Sequence, residues 1–120
     1  MKIQLKLSVI AMLAIAAPAL AHHSFAMFDS TKEVEVVGVV KEFQWTNPHI
    51  WIQLGVNENG NPVVYNIEGS SPNGLSRKGW KRTTFKPGDK VTIVIHPLKH
   101  GELGGSFVRA TGADGSVITP

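Results

Sequence analysis

The chain has no cysteine, which excludes disulfides, thiolate metal ligands and thiol nucleophiles together. It also lacks the short motifs of the commoner enzyme classes. There is no Gly-x-Ser-x-Gly elbow, no His-Glu-x-x-His zinc pattern, no phosphate loop and no dinucleotide fingerprint. No activity follows from motif, and a hydrolase built on these patterns is excluded. Internal repeats and low-complexity stretches are missing as well. The apolar run at the N-terminus is too short to span a bilayer comfortably, and no later segment approaches the roughly 20 residues needed.

That N-terminal run has the three parts of a secretory signal. Lys2 and Lys6 precede an apolar stretch from Leu7 to Ala17, and Pro18 leads into Ala19-Leu20-Ala21, the small-x-small pattern read by signal peptidase. The expectation is a signal peptide over residues 1–21, cleavage after Ala21, and a periplasmic or secreted domain over residues 22–120. Ten basic residues then stand against nine acidic ones, because Lys2 and Lys6 leave with the leader. A domain so close to neutral has no electrostatic footprint for nucleic acid, and none is expected as a partner. The 99 residues remaining suffice for one core.

Hydrophobic alternation predicts an all-β fold. Residues 33–45 read as one long strand whose phase slips, with a bulge or bend placed at Gly38 and with the strand serving two sheets. Ile50, Ile52, Leu54 and Val56 alternate cleanly, and Asn57 to Asn61 supplies an Asn-Gly hairpin signal before Val63, Tyr65 and Ile67. Ser70-Ser71-Pro72 marks the start of a short helix ending near Trp80. Strands follow over 90–96 and 106–111, with Gly101 to Gly105 read as a loop between them. This order is that of a small five-stranded oligonucleotide/oligosaccharide-binding (OB) type barrel with one short helix. A split β-sandwich is the competing architecture.

All five histidines, at positions 22, 23, 49, 96 and 100, lie beyond the leader. Cleavage after Ala21 places a free α-amine beside two imidazoles. The amine and the ring of His22 can chelate Cu(II), with a further histidine completing a three-nitrogen brace; alternatively the amine, a deprotonated amide and His23 form the chelate. Cu(II) tops the divalent affinity order and favours tetragonal nitrogen sets. His49, after Asn47-Pro48 and on the outward face of its strand, is the first choice for the remaining ligand. His96 and His100 are a second pair or supply the missing ligand. The same histidines also fit a solvated N-terminus and ordinary strand-end hydrogen bonding. Trp51 shares the face of His49, so it is either covered by the apolar arm from Phe25 to Phe28 or belongs to an exposed binding patch. That arm, residues 22–31, is expected to dock on the barrel.

Several segments together carry a resemblance: His22-His23-Ser24-Phe25, Phe43-Gln44-Trp45-Thr46-Asn47-Pro48-His49, Ile67-Glu68-Gly69-Ser70-Ser71-Pro72, Arg77-Lys78-Gly79-Trp80 and Lys86-Pro87-Gly88-Asp89. In this order they resemble a family of short exported bacterial proteins of unknown function, over His22 to about Gly115. The resemblance implies that the His-His start and the Asn-Pro-His segment belong to one design in an exported, β-rich protein. It brings no activity. Two functional expectations stand on the residues themselves: a Cu(II)-binding protein using His22, His23 and His49 with Trp51 shielding the site, and a metal-free module that holds a partner protein or small ligand. An oxidative copper enzyme is the reserve, with little room in 99 residues for an extended substrate surface.

Overall fold

The computed structural model describes residues 25–120, Phe25 by its backbone alone. Six strands form the body: β1 (Val34–Gln44), β2 (Trp51–Glu58), β3 (Asn61–Glu68), β4 (Lys90–Pro97), β5 (Gly104–Gly112) and the short β6 (Val117–Ile118). They run in the order β3-β2-β1-β4-β5-β6, and a parallel pairing of β3 with β5 closes the first five into a barrel. The five-stranded OB-like barrel with one short helix is therefore the observed fold, with β6 as an unforeseen addition on the edge of β5.

β1 is the hinge of the architecture. Residues 34–39 pair with β4, and residues 39–44 pair with β2. The register shift falls between Val40 and Glu42, so the extra residue is Lys41 and not Gly38. Val36 and Val40 point into the core before the bulge, Phe43 and Trp45 pack on it afterwards, and Val37 and Val39 are left outside. Gly38 has a different duty: a Cβ there would stand 2.3 Å from the Gly55 carbonyl oxygen across the sheet.

The β2–β3 hairpin turns at Asn59-Gly60, where both residues have positive φ, as a type I′ turn requires. Ile52, Leu54 and Ile67 are fully buried beneath it. Ser71 caps α1 (Pro72–Ser76) by accepting a hydrogen bond from Gly74 N at 3.2 Å, with proline in the first turn. The helix ends at Ser76, four residues short of Trp80. Leu75 and Trp80 nevertheless plug one end of the barrel, where Trp80 meets Phe107 edge-on with ring centroids 5.2 Å apart and donates its Nε1 hydrogen to Thr119 O.

The Gly101 to Gly105 segment is only in part a loop. Gly104 and Gly105 open β5 and are buried at the seam, pairing with Asn66 and Ile67. A Cβ on Gly104 would lie 2.2 Å from Asn66 O, and one on Gly105 would lie 2.2 Å from His96 O. Closure of the barrel depends on these two missing side chains. No helix among the described residues is long and apolar enough to cross a membrane.

Candidate functional site

At the seam end of the barrel a cavity of about 390 Å³ is lined by Phe28, His49, Glu68, Gly69, Ser70, His96, Ser106 and Phe107. Three backbone features build it. The hairpin ladder continues past β2 and β3 through hydrogen bonds from Ile50 N to Ser70 O and from Gly69 N to Ile50 O, both 3.0 Å. The β3–β5 seam brings Ser106 opposite Glu68. The N-terminal arm then docks along the end of β4: Phe28 bridges Leu98, Asp29 N donates to Pro97 O and Lys99 N donates to Met27 O. Phe28, 8% exposed, becomes one wall.

His49 precedes β2 and follows a cis Asn47-Pro48 bond. Its Nδ1 lies 3.0 Å from Gly69 O. A carbonyl oxygen only accepts, so Nδ1 carries the hydrogen and Nε2 is left as the chemically available nitrogen. Nε2 stands 3.5 Å from Glu68 Oε1. Glu68, whose side chain is 7% exposed, has its second oxygen, Oε2, buried without a hydrogen-bond partner among the described residues. An ionised carboxylate so placed carries a desolvation cost that a nearby proton or cation offsets.

His96 repeats the same orientation logic. It is the last residue but one of β4, opposite Ser106, and its Nδ1 donates to Lys32 O at 2.8 Å, which leaves Nε2 as the other ring nitrogen. Two imidazoles on one cavity are thus each held in the Nδ1–H tautomer by a backbone carbonyl, the arrangement that commonly orients histidines toward a metal through the other nitrogen.

Of the residues singled out in the sequence, the structure brings His49 and His96 to the same cavity and leaves His100 exposed in the turn after β4. His22 and His23 lie outside the described residues, as do the leader and its cleavage point. Trp51 is half-buried, opposite Glu68 and Gln44 in the ladder, and is not part of the cavity wall. The arm residues that are described dock at Pro97 to Lys99. Among the described residues no three histidine or carboxylate side chains are grouped closely enough to hold a metal by themselves. The barrel offers a pair, His49 and Glu68, with His96 across the cavity.

Glu68 lies on the cavity although residue type alone does not single it out, and the hairpin register carries the signal for its position. Counting the register outward from Asn59-Gly60 puts Glu68 opposite Trp51 and diagonal to His49, within reach of a long side chain.

The protein is a closed OB-type barrel with a histidine–carboxylate hollow at its seam, one wall of which is Phe28 of the N-terminal arm. The chain belongs to the family of unknown function DUF6152, whose profile matches residues 10–107. Comparison with curated proteins finds no match. Among solved structures it is similar to the mitochondrial single-stranded DNA-binding protein Rim1 of S. cerevisiae in two crystal forms. The TM-scores are 0.53 and 0.50 at 13% identity, covering 68% of this chain and 92% and 94% of those chains. The likeness is one of fold.

Proposed function

We propose that this protein is exported and binds Cu(II) where its N-terminal arm meets the barrel, with the α-amine and ring of His22, then His23, and His49 as ligands. The observation that carries the reading is the docking of Phe28 on the cavity that holds His49. His22 is only six residues upstream of Phe28, and at up to about 3.5 Å per residue the intervening chain can return to the cavity it leaves. His49, oriented by Gly69 O, is the ligand that waits there. Periplasmic or extracellular residence is read from the leader.

The test is a Cu(II) titration of protein beginning at His22, unaltered and as His49→Ala. A loss of about tenfold or more in affinity with an unchanged thermal midpoint is expected, on the scale of removing one metal-site group. Equal affinity in both would remove His49 from the site.

A second, metal-free reading rests on a different surface. A hollow of about 590 Å³ on the outer face is lined by Val39, Lys41, Val56, Pro62, Val64 and Pro87 among others. A module that holds a small apolar ligand there would be indifferent to changes at His22 and His49.

A further inference from the structure

Glu68 is the one described side chain whose buried polar atom has no partner, and it faces the nitrogen that the copper reading requires. Resting on that reading, we propose that the Glu68 carboxylate binds the same ion as His49, and that this anionic oxygen makes the site hold Cu(II) in preference to Cu(I).

Geometry supports a shared ion. The Nε2 to Oε1 separation of 3.5 Å is long for a hydrogen bond between these groups. Two donors each about 2.0 Å from one ion stand about 3.5 Å apart at an angle of about 120°, and about 2.8 Å apart at a right angle. A shift of about 0.7 Å therefore brings the pair to the cis positions of a tetragonal Cu(II) site. The hydrogen bond from His49 Nδ1 to Gly69 O keeps the imidazole aimed while the longer Glu68 side chain moves.

Charge and ligand softness give the oxidation-state preference. A buried carboxylate offsets one of the two positive charges of Cu(II), whereas Cu(I) is selected by thiolates and thioethers. The chain has no cysteine, and Met27 is the only methionine after the leader. The cavity wall contains neither residue type.

The experiment compares protein beginning at His22 in three forms: unaltered, Glu68→Gln and His49→Ala. Each is titrated with Cu(II) and, under reducing conditions against a chromogenic chelator, with Cu(I). Glu68→Gln is expected to lose about tenfold or more in Cu(II) affinity, the loss typical of removing a metal-site group, with Cu(I) affinity little changed. The Cu(II)/Cu(I) potential would then rise by about 59 mV per tenfold difference, and the paramagnetic resonance spectrum would change its hyperfine coupling. Infrared difference spectra of the unaltered protein, with and without Cu(II), check the same point without any substitution: a shifted carboxylate stretch is expected. Unchanged Cu(II) affinity and spectrum in Glu68→Gln, or no carboxylate shift in the unaltered protein, would overturn the proposal. If His49→Ala loses affinity in that case, the copper reading survives and only the role of Glu68 falls. If none of the forms differs, both fall.

Discussion

His49 and Tyr65 are the two residues whose surroundings most clearly impose a chemical state. For His49 the Gly69 carbonyl selects the tautomer, which turns an ordinary strand-end histidine into one with a defined free nitrogen. Tyr65, on β3, donates its hydroxyl hydrogen to Glu58 Oε1, and its pKa is pushed up to about 12 from 10.0 by that hydrogen bond first, then by burial and by the carboxylate's charge. Because Tyr65 is the only tyrosine, its phenolate absorbance near 295 nm reports this group alone. The titration midpoint is expected near 12 in the folded protein and lower, toward the ordinary value, in Glu58→Gln, with burial alone still raising it. The sign follows from linkage: a group whose folded pKa is raised contributes stability below its unfolded pKa and loses it as pH climbs through the folded value. The Tyr65 contribution is therefore lost between about pH 10 and pH 12. A midpoint near 10 in both proteins would deny the Glu58 interaction.

At the scale of elements, the seam between β3 and β5 makes the barrel and also makes the cavity. Gly105 lets β5 lie against the backbone of His96, so a side chain here would push on a cavity residue as well as on the sheet. Gly105→Ala is expected to cost about 1–3 kcal/mol through overpacking, lowering the thermal midpoint by about 4–8 °C per kcal/mol in a domain of this size. It should also shift the His96 ring resonances in an NMR spectrum. A midpoint and ring shifts like those of the unaltered protein would mean that the seam has more slack than its contacts describe.

The same seam explains what was legible. The hairpin could be read because its information is local: Asn59-Gly60 sets the turn, and alternation sets the face. The helix start at Ser71-Pro72 is equally local. The Gly104-Gly105 stretch reads as a loop in sequence because the need for glycine comes from Asn66 and His96, far away in the chain, and a contact of that kind leaves no periodic trace. The slip in β1 shows in the alternation but its position does not: both Gly38 and Lys41, three residues apart, satisfy the pattern, and only the pairing with Gln53 and Leu54 decides for Lys41. His49 stood out by residue type and position. Glu68 reads as a plain polar strand end until barrel closure buries it.

Taken whole, the molecule places Phe28 of its docking arm, two oriented imidazoles and a buried carboxylate around one cavity, while the remaining candidate ligands, His22 and His23, come six and five residues before Phe28 in the sequence. In the proposed site the free α-amine of His22 completes the Cu(II) ligand set there. Calorimetric Cu(II) titration of two proteins that differ at a single point, one beginning at His22 and one carrying an extra Met before it, reads this out. Tight one-to-one binding with several nitrogen ligands by paramagnetic resonance is expected in the first and sharply weaker binding in the second; the same weak binding in both would rule out the amine as a ligand.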